Sequence, residues 1–272
     1  MREPVLILSD LHLGHPASRI HDVELMRPLF EGMGTVVFNG DTFQELATAF
    51  RPRSEELLGA LKSLCEAMGI DAVFQSGNHD PGWKDEGWLE LAQGRIVVTH
   101  GDAVMWGGSP WSRESFECSE QIRELWSKHE GADFDPGKRI ALAREMAVLA
   151  KPVANALSWR RIHRVMDAFA SPQRLLELPR VWWEQAKLAD EFLSRYFPKA
   201  EVLVLGHFHR QGVWWRHRHL ILNTGACIGF HRARWVSYEK GWLKTGKVVE
   251  ENQRFMRGPT GEVWRFEGLE EA

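Results

Sequence analysis

Short apolar runs alternate with amphipathic stretches in the first third of the chain. Apolar, often β-branched residues fill 5–9, 35–39, 72–76 and 95–99, and Gly, Asp or Asn bounds each run. Such runs are typical of buried strands. Between them, 54–68 places Leu57, Leu61 and Leu64 on one helical face, with Ser54 as a candidate N-cap. This alternation predicts parallel βαβ units whose helices cover the sheet.

The pattern changes after residue 100. Strand signals almost disappear from Gly107 to Ala200, and a helical stripe of apolar residues runs from Ile162 to Phe169. Pro179 predicts the first turn of a helix that continues through Arg195. We therefore divide the chain into a first half of a catalytic core (1–106), a helical cap insertion (107–200) and a second half of the core (201–272).

Strand signals return in the last part of the chain, at 201–206, 212–216, 219–223 and 234–239. The connections between them are short, which predicts hairpins and a second sheet. The remaining C-terminal stretch, from Gly246 onward, is interpreted as a hairpin or a charged tail.

Composition and charge exclude few classes of protein. The chain has 272 residues, 44% of them hydrophobic and 26% charged, with a formal net charge of -3. These values are ordinary for a soluble globular protein, and no broad basic stripe favours nucleic acid as a partner. The N-terminal apolar run ends at Asp10 and is too short for a signal peptide or a membrane span. Cys65, Cys118 and Cys227 are odd in number and widely spaced, so reduced, buried thiols are expected.

Five of the predicted strands end in residues that carry chemistry. In open α/β sheets, sites form outside the carboxyl ends of the strands, so these residues are expected to converge on one cleft. In chain order they are Asp10 and His12; Asp41; Asn78, His79 and Asp80; His100 and Asp102; and His207 and His209.

These side chains form a donor set without thiolate that suits Mn, Fe or Zn. Residues two apart in extended backbone, such as His207 and His209, project to the same side. The set exceeds what one ion needs, since the candidate ligands are Asp10, His12, Asp41, Asn78, His100, His207 and His209. Two ions about 3.5–4 Å apart, bridged by one carboxylate, activate a water and hold the oxygens of an in-line phosphoryl displacement.

The ordered motifs DLH, GD, GNHD, HGD and GHFH resemble those of the calcineurin-like metallophosphoesterase superfamily. The resemblance covers 5–102 and 201–225. It implies an α/β fold of α+β type, a four-layer α/β/β/α sandwich of two mixed sheets, here with a mainly helical cap. It also implies that Asp10, His12, Asp41 and His209 hold one metal, and that Asp41, Asn78, His100 and His207 hold the second.

The resemblance further implies that His79 contacts phosphate or protonates the leaving oxygen. Asp80 is expected to orient His79 through a hydrogen bond. Asp102 is either a partner of the ligands or a turn residue. His15 is assigned to a solvated loop, with a position facing the substrate as the alternative. Five further histidines match no motif and are expected to be structural: His129, His163, His217, His219 and His231.

The cap insertion holds two features that bear on the substrate. Arg160, Arg161 and Arg164 can face an anionic phosphate or head group, although a solvated helix face is the alternative. The tryptophans in or beside the cap are either its core or a wall of the ligand site. They are Trp106, Trp111, Trp126, Trp159, Trp182 and Trp183.

The position of the cap resembles that in the pyrophosphatases that act on UDP-2,3-diacylglucosamine in lipid A synthesis. Those enzymes need an apolar groove beside a dinuclear Mn site. One departure is that they typically carry Arg where this sequence has His79.

The sequence thus predicts a dinuclear metal-dependent phosphoesterase that uses metal-activated hydroxide on a phosphomonoester, phosphodiester or pyrophosphate. Two divalent ions are expected, Mn first, with Fe or Zn as alternatives. The expected partner is a phosphate-ester small molecule or a lipid-linked substrate such as UDP-2,3-diacylglucosamine, and the alternative is a nucleotide or another small diester. The other class is a non-enzymatic interaction module with the same fold. The expected location is the cytoplasm, with peripheral contact to the inner membrane through the cap, and the oligomeric state is left open.

Overall fold

The computed structural model describes residues 1–108, 119–149 and 172–267, with the backbone alone at 119 and 172–179. The strands are β1 (Val5–Leu8), β2 (Thr35–Asn39), β3 (Asp71–Gln75), β4 (Trp88–Leu91), β5 (Ile96–Thr99), β6 (Val202–Leu205), β7 (Gly212–Arg216), β8 (His219–Asn223), β9 (Arg234–Glu239), β10 (Trp242–Glu251) and β11 (Arg254–Arg265). The helices are α1 (Arg27–Phe30), α2 (Arg51–Ala67), α3 (Ser119–Lys128), α4 (Pro136–Leu149) and α5 (Pro172–Tyr196).

The strands form two mixed sheets. The first has the order β11-β10-β9-β1-β2-β3, and the second has the order β4-β5-β6-β8-β7. In the first sheet β1, β2 and β3 are parallel, and β9 runs antiparallel to β1. In the second, β5, β6 and β8 are parallel, and the antiparallel strands β4 and β7 form its edges. The carboxyl ends of both sets of parallel strands supply the site described below.

Alternate residues of each central strand face different layers. In β1, Val5 and Ile7 pack against the second sheet, in a cluster with Val98 and Val204. Leu6 and Leu8 point the other way and pack with α2. Every residue of β1 is buried, which explains why the strand has a continuous apolar sequence rather than an alternating one.

Helices cover the outer faces of both sheets. Leu57 and Leu61 of α2 pack on the first sheet, and Ala189 and Leu193 of α5 pack on the second together with Leu203. The result is the four-layer α/β/β/α sandwich with two mixed sheets, which confirms the predicted fold class.

The predicted strands agree with the observed ones to within about a residue, but two assignments were wrong. The strand at 234–239 does not join the second sheet; β9 pairs with β1 and extends the first sheet toward the C-terminal hairpin of β10 and β11. The edge strand β4 was missed because Trp88–Leu91 is short and half-exposed, and lacks the apolar run of a central strand.

The two helices whose starts were predicted both begin earlier in the structure. Helix α2 begins at Arg51, so Ser54 lies inside it rather than at its N-cap; there its hydroxyl accepts a hydrogen bond from the Gln44 amide. Helix α5 begins at Pro172 rather than Pro179, so Pro172 takes the first-turn position.

The described part of the predicted cap is helical. Leu142 and Met146 of α4 pack with Ile122 of α3 in a small separate core, while the later turns of α5 pack on the second sheet. The arginines Arg160, Arg161 and Arg164, and with them Trp111 and Trp159, lie outside the described residues.

None of the helices in the described ranges is both long and apolar enough to span a membrane. Cys65 and Cys227 are buried free thiols, and burial raises the pKa of each, to about 11 for Cys65 and about 12 for Cys227. Both cysteines are therefore structural, and Cys118 lies outside the described residues.

Candidate metal centre

The site forms where parallel strands of both sheets end. The loop after β1 carries Asp10 and His12, and the loop after β2 carries Asp41. Asn78 follows β3, His100 directly follows β5, and His207 and His209 follow β6. Residues separated by about 200 positions in sequence therefore meet across the junction of the two sheets, as the strand-end pattern predicts.

The backbone at these positions adopts an unusual conformation. Non-glycine residues seldom have positive φ, and such residues concentrate at functional sites, where the surrounding structure holds them in place. Five of the candidate ligands have a positive φ: Asp10 (53°), His12 (48°), Asp41 (51°), His207 (64°) and His209 (53°). This conformation turns each side chain sharply out of its strand direction and into the site.

Two glycines make room for that approach. A Cβ on Gly206 would collide with the Asp10 carboxylate, and one on Gly40 would collide with the His100 ring. The glycines in the GD and GHFH motifs therefore act by allowing close packing of backbone against candidate ligands.

The first group of candidate ligands comprises Asp10, His12, Asp41 and His209. One ligand atom from each lies within 4.8 Å of all the others. The Nε2 atoms of His12 and His209 are 3.1 Å apart, and Nε2 of His209 is 3.2 Å from Oδ1 of Asp10. Two carboxylates and two imidazoles that converge in this way can hold a divalent metal ion.

The second group lies on the other side of Asp41. Oδ1 of Asn78 is 2.8 Å from Nδ1 of His207 and 3.2 Å from Nε2 of His100. His100 Nε2 is in turn 3.4 Å from Oδ1 of Asp41, whose other oxygen lies 3.8 Å from Nε2 of His12. Asp41 thus has one oxygen toward each group, which is the arrangement that a bridging carboxylate requires.

The electrostatics of the site keep the carboxylates ionised. Burial opposes the charge of Asp41, but His100 and His79 outweigh it and hold the pKa of the carboxyl well below its ordinary value. For Asp10, burial is likewise outweighed, mainly by the hydrogen bond with His209, so its pKa is also lowered.

Two of the imidazoles are kept neutral. Burial lowers the pKa of His207 to about 3, and burial together with the charge of His79 lowers the pKa of His12 well below its usual range. For His100 burial acts in the same direction, but the adjacent Asp41 carboxylate prevails and raises the pKa well above the ordinary value. Ionised carboxylates and neutral imidazoles are the forms that bind metal. The two aspartates, His12 and His207 have these forms and fit the predicted ions, whereas His100 would have to release a proton on binding.

The position of Asp80 corrects one prediction. Its carboxylate accepts hydrogen bonds from the backbone amides of Asp41, Thr42 and Gly77, at 2.8–2.9 Å, so it fixes the loop that carries the bridging aspartate. The expected hydrogen bond to His79 is instead made by Gln44, whose Oε1 lies 2.9 Å from Nδ1 of His79. Asp80 faces away from His79 because these amides surround it.

His79 itself lies at the border of the site. Its amide donates to Oδ1 of Asp41 at 2.8 Å, and its Nε2 is 3.9 Å from Oδ2 of the same residue. One third of its side chain is exposed (34%), whereas the Asp41 side chain is buried. A catalytic role for His79 stays a prediction, but its ring has the access to solvent and substrate that this role needs.

Two further residues beside the centre were not predicted. Gln44 is fully buried and touches both His12 and His79. The His231 ring lies 5.2 Å from that of His209, and its centroid is 4.3 Å from the ring of Phe230 and 6.1 Å from that of Trp182. His231 does not follow a strand directly, so only the fold reveals that it lies near the centre. Gln44 lies three residues after Asp41, and this proximity to a motif was the one weak sequence signal for it.

His15 and Asp102 flank the site without joining either group. The ring of His15 is 6.4 Å from that of His12 and packs against Phe50. Asp102 starts a short 3-10 helix, where its side chain accepts from the Ala103 amide. Burial raises the pKa of Asp102 against the charge of His100.

Comparison with known proteins shows the family of the chain. The family model of the calcineurin-like phosphoesterases matches residues 3–211, more than half of the chain. The chain belongs to the calcineurin-like phosphoesterase family, which confirms the resemblance drawn from the motifs. No match was found among curated proteins.

Several solved structures are similar at low identity. A dimetal phosphatase from Danio rerio is 11% identical, with 90% of this chain and 96% of that one covered and a TM-score of 0.47. A Vps29 single mutant from Entamoeba histolytica is 14% identical, with 96% and 98% covered and a TM-score of 0.43. A conserved protein from Streptococcus pneumoniae, described as a predicted phosphoesterase, is 15% identical, with 98% of each chain covered and a TM-score of 0.36.

Proposed function

We propose that the protein is a dinuclear metal-dependent phosphoesterase that hydrolyses a phosphomonoester, phosphodiester or pyrophosphate bond. The observation that carries this proposal is the convergence of Asp10, His12, Asp41 and His209, whose ligand atoms lie within 4.8 Å of one another. Asn78, His100 and His207 stand beside them and support a second ion. Family membership supports a hydrolase in general.

Each group of side chains has a distinct task in this proposal. Divalent ions bound there would activate a water and neutralise charge on the phosphoryl oxygens. Asp41 holds the two halves of the centre together through its two oxygens, and the buried Asp80 keeps the Asp41 loop in place. Mn²⁺ is the ion we propose first, and Fe or Zn suits the same donors.

His79 would act on the substrate. Its Nε2 faces the centre near Asp41, at the exposed side of the site, where a phosphate ester has to enter. A protonated Nε2 there donates a hydrogen bond to a phosphoryl oxygen and can pass its proton to the leaving oxygen.

Metal analysis combined with hydrolysis of bis(p-nitrophenyl) phosphate in the presence of Mn²⁺ tests the proposal. We expect bound metal and Mn²⁺-dependent turnover, both lost in Asp41→Asn. Asp71→Asn is the matched control. Asp71 is an exposed carboxylate at the start of β3, the end of that strand away from the centre, and its side chain pairs only with Arg2 in the described structure. A protein without bound metal and without turnover would instead be a non-enzymatic module.

Aromatic side chains beside the centre support a substrate with an apolar or planar group next to the phosphate. Trp182, Phe230 and His231 form an aromatic rim at His209, and Phe230 is 77% exposed. Such a rim can stack on a base or lie along an acyl chain. This supports a lipid or nucleotide diphosphate, with UDP-2,3-diacylglucosamine as the leading candidate and smaller nucleotide diesters as the alternative.

A substrate panel separates these candidates. It compares UDP-2,3-diacylglucosamine, UDP-sugars without acyl chains and nucleotide diesters on the Mn²⁺-loaded protein. Phe230→Ala should raise KM for the preferred substrate and leave hydrolysis of the nitrophenyl diester nearly unchanged. Equal rates on acylated and non-acylated compounds would reject a lipid-specific site. Activity on the acylated compound would also support our proposed location, the cytoplasm with access to the inner membrane.

A further inference from the structure

Arg144 of α4 joins the predicted cap to the loop at 76–87, which carries Asn78. Its Nε lies 2.9 Å from the Ser76 hydroxyl, and its Nη2 lies 2.7 Å from the same oxygen. Nη2 is also 2.6 Å from Oδ1 of Asp85 and 2.8 Å from the backbone carbonyl of that residue. The guanidinium therefore contacts the loop near both of its ends through charge-assisted hydrogen bonds.

The Asp85 carboxylate completes this attachment. Its Oδ2 accepts hydrogen bonds from the backbone amides of Ser76 at 3.2 Å and Gly87 at 2.9 Å, while its Oδ1 pairs with Arg144. The Asp85 side chain is 17% exposed and that of Arg144 is 24% exposed, so the pair is largely shielded from water. Removal of the guanidinium would leave this carboxylate largely buried without its cation, which is the costly way to break such a pair.

Packing brings α4 close to the loop at the same place. A Cβ on Gly87 would collide with Ile140, which lies one turn before Arg144 on α4. The Gly87 carbonyl accepts a hydrogen bond from Oγ1 of Thr99 at 2.7 Å. Thr99 ends β5 and precedes His100, a candidate ligand of the second ion. The loop is thus packed between the cap and a strand end that supplies the second group of ligands.

The opposite side of the loop is attached to the core. The Asp80 carboxylate accepts a hydrogen bond from the Asp41 amide at 2.9 Å, and the Glu45 amide donates to the His79 carbonyl at 3.1 Å. Both contacts tie the turn to the loop after β2. A turn that is attached on one side only is free to tilt, and the Arg144 contacts on the other side remove this freedom.

Asn78 is the candidate ligand that depends on this tilt. The hydrogen bonds of its Oδ1 in the described structure are to other candidate ligands, at 2.8 Å from Nδ1 of His207 and 3.2 Å from Nε2 of His100. An ion bound by these atoms would replace both contacts, so the loop backbone would then set the position of Asn78. The ligands of the first ion lie on the loops after β1, β2 and β6, to which Arg144 makes no hydrogen bond within the described ranges.

We infer that Arg144 is a positioning residue that holds Asn78 in place for the second metal ion. The inference rests on the proposed function. It adds that the cap, apart from any contact with substrate, is needed to complete the metal centre. The first ion does not use Asn78 and should bind independently of Arg144.

Substitution of Arg144 tests this role through metal binding. Arg144→Met removes every hydrogen bond of the guanidinium, so we expect the affinity for the second Mn²⁺ ion to fall by about 10-fold, and that for the first to stay within about threefold of wild type. Titration calorimetry measures both binding steps. Arg195→Met is the matched control, because Arg195 pairs with the exposed Asp133 at 3.3 Å elsewhere on the cap.

Electron paramagnetic resonance gives a readout specific to the second ion. At a Mn²⁺ concentration that fills both sites of wild type, wild type and Arg195→Met should show the spectrum of two exchange-coupled ions. Arg144→Met should show mainly the spectrum of an isolated ion. Arg144→Lys keeps the charge but loses the planar fork, so its affinity for the second ion should be intermediate.

The attachment of the loop can be followed without metal. Backbone amides at 76–87 should exchange hydrogen faster in metal-free Arg144→Met than in wild type, and at an unchanged rate in Arg195→Met. Mass spectrometry measures this exchange. Circular dichroism and thermal unfolding verify that each variant is folded. Arg144→Lys is the milder change and decides the question if Arg144→Met does not fold.

The outcomes distinguish this inference from the proposed function. Wild-type protein that binds no divalent metal would overturn both. If wild type binds two ions but Arg144→Met binds the second with unchanged affinity, or loses both ions equally, the inference is wrong and the phosphoesterase proposal stands. Unchanged hydrogen exchange at 76–87 in Arg144→Met, or wild-type affinity for the second ion in Arg144→Lys, would also overturn the inference.

Discussion

Two clusters in the described part of the chain bring histidine rings to a buried aspartate, and they differ in what the rings do. In the candidate metal centre, Nε2 atoms of several rings gather around Asp10 and Asp41. In the second cluster, His217 and His219 both point Nδ1 at Asp190, at 2.8 and 2.6 Å. The composition is alike, yet only the first cluster suits an ion.

The difference lies in how the hydrogen bonds are satisfied. Each oxygen of Asp190 receives one short hydrogen bond from a ring, and Nε2 of His219 is occupied by Arg218 at 3.2 Å. In the candidate metal centre the ligand atoms instead converge. One atom from each of four residues lies within 4.8 Å of the others, and the two carboxylates stay ionised beside the neutral His12 ring. Positive φ does not separate the clusters, because His217 shares it at 50°. Convergence of carboxylate and imidazole ligand atoms on a common point is the feature that favours a cation.

The largest expected effect comes from removing the shared carboxylate. Asp41→Asn should lower Mn²⁺-dependent turnover by well over about 100-fold, because even the hydrogen-bond partners of metal ligands cost about 10- to 100-fold. Asp190→Asn, which makes the same change in the other cluster, should retain at least about a third of the wild-type turnover. Initial rates on the nitrophenyl diester measure both. Similar losses in the two variants would mean that the clusters are not functionally distinct.

A smaller effect is expected for His79. His79→Gln should lower kcat by about 100-fold, at the lower end of what general acids contribute, while Mn²⁺ affinity stays near wild type. His217→Gln is the control ring from the other cluster and should leave kcat unchanged. Steady-state kinetics and calorimetry measure the two quantities. A large loss of metal affinity in His79→Gln would reassign His79 as a ligand.

Much of the candidate metal centre could be placed from the sequence because each proposed ligand lies shortly after a strand in a short motif. Asp10, Asp41 and His207 were found in this way, and the fold class followed from the two groups of strands. The residues beside the centre that were not predicted are placed there by long-range packing. Gln44 lies outside the motifs quoted for the family, and His231 reaches the centre only because the loop between β8 and β9 folds back on it.

The predicted hydrogen bond between Asp80 and His79 was wrong for a related reason. Adjacency to His79 in sequence suggested contact, but successive residues in this turn point in different directions. Backbone amides of two loops capture the Asp80 side chain, and burial together with the charge of Asp41 raises its pKa well above the ordinary value. Sequence gives the order of such residues, whereas the direction of each side chain depends on the turn.

Metal binding should stabilise the protein through the first cluster alone. A ligand present at about 100 times its Kd stabilises the folded state by about 2.7 kcal/mol. Mn²⁺ should therefore raise the unfolding midpoint of wild type and of Asp190→Asn, and a chelator should reverse the shift. Thermal unfolding followed by circular dichroism measures this effect. Asp41→Asn should show little shift, and a full shift in that variant would place the ion elsewhere.

The second cluster is expected to contribute to stability rather than to activity. Asp190 belongs to α5, and its two partners lie at the turn between β7 and β8, so the cluster ties the helix to the second sheet. Asp190→Asn should lower the free energy of unfolding by about 1 to 2 kcal/mol at about pH 7, because an amide cannot accept both ring hydrogen bonds equally well. Urea denaturation measures the difference. Asp133→Asn, at an exposed carboxylate of the cap, is a control that should change little.

The same stabilisation should depend on pH with a definite sign. Burial opposes the charge of Asp190, but the hydrogen bonds from His219 and His217 outweigh it and hold its pKa below the ordinary value. A group whose pKa is lowered by folding adds stability above its unfolded pKa of about 3.9, and this stability is lost as the pH falls through the folded value. Asn at position 190 does not titrate. The gap between wild type and Asp190→Asn should therefore shrink as the pH falls below about 4. A gap that stays unchanged in acid would show that packing, and not the charged hydrogen bonds, is its source.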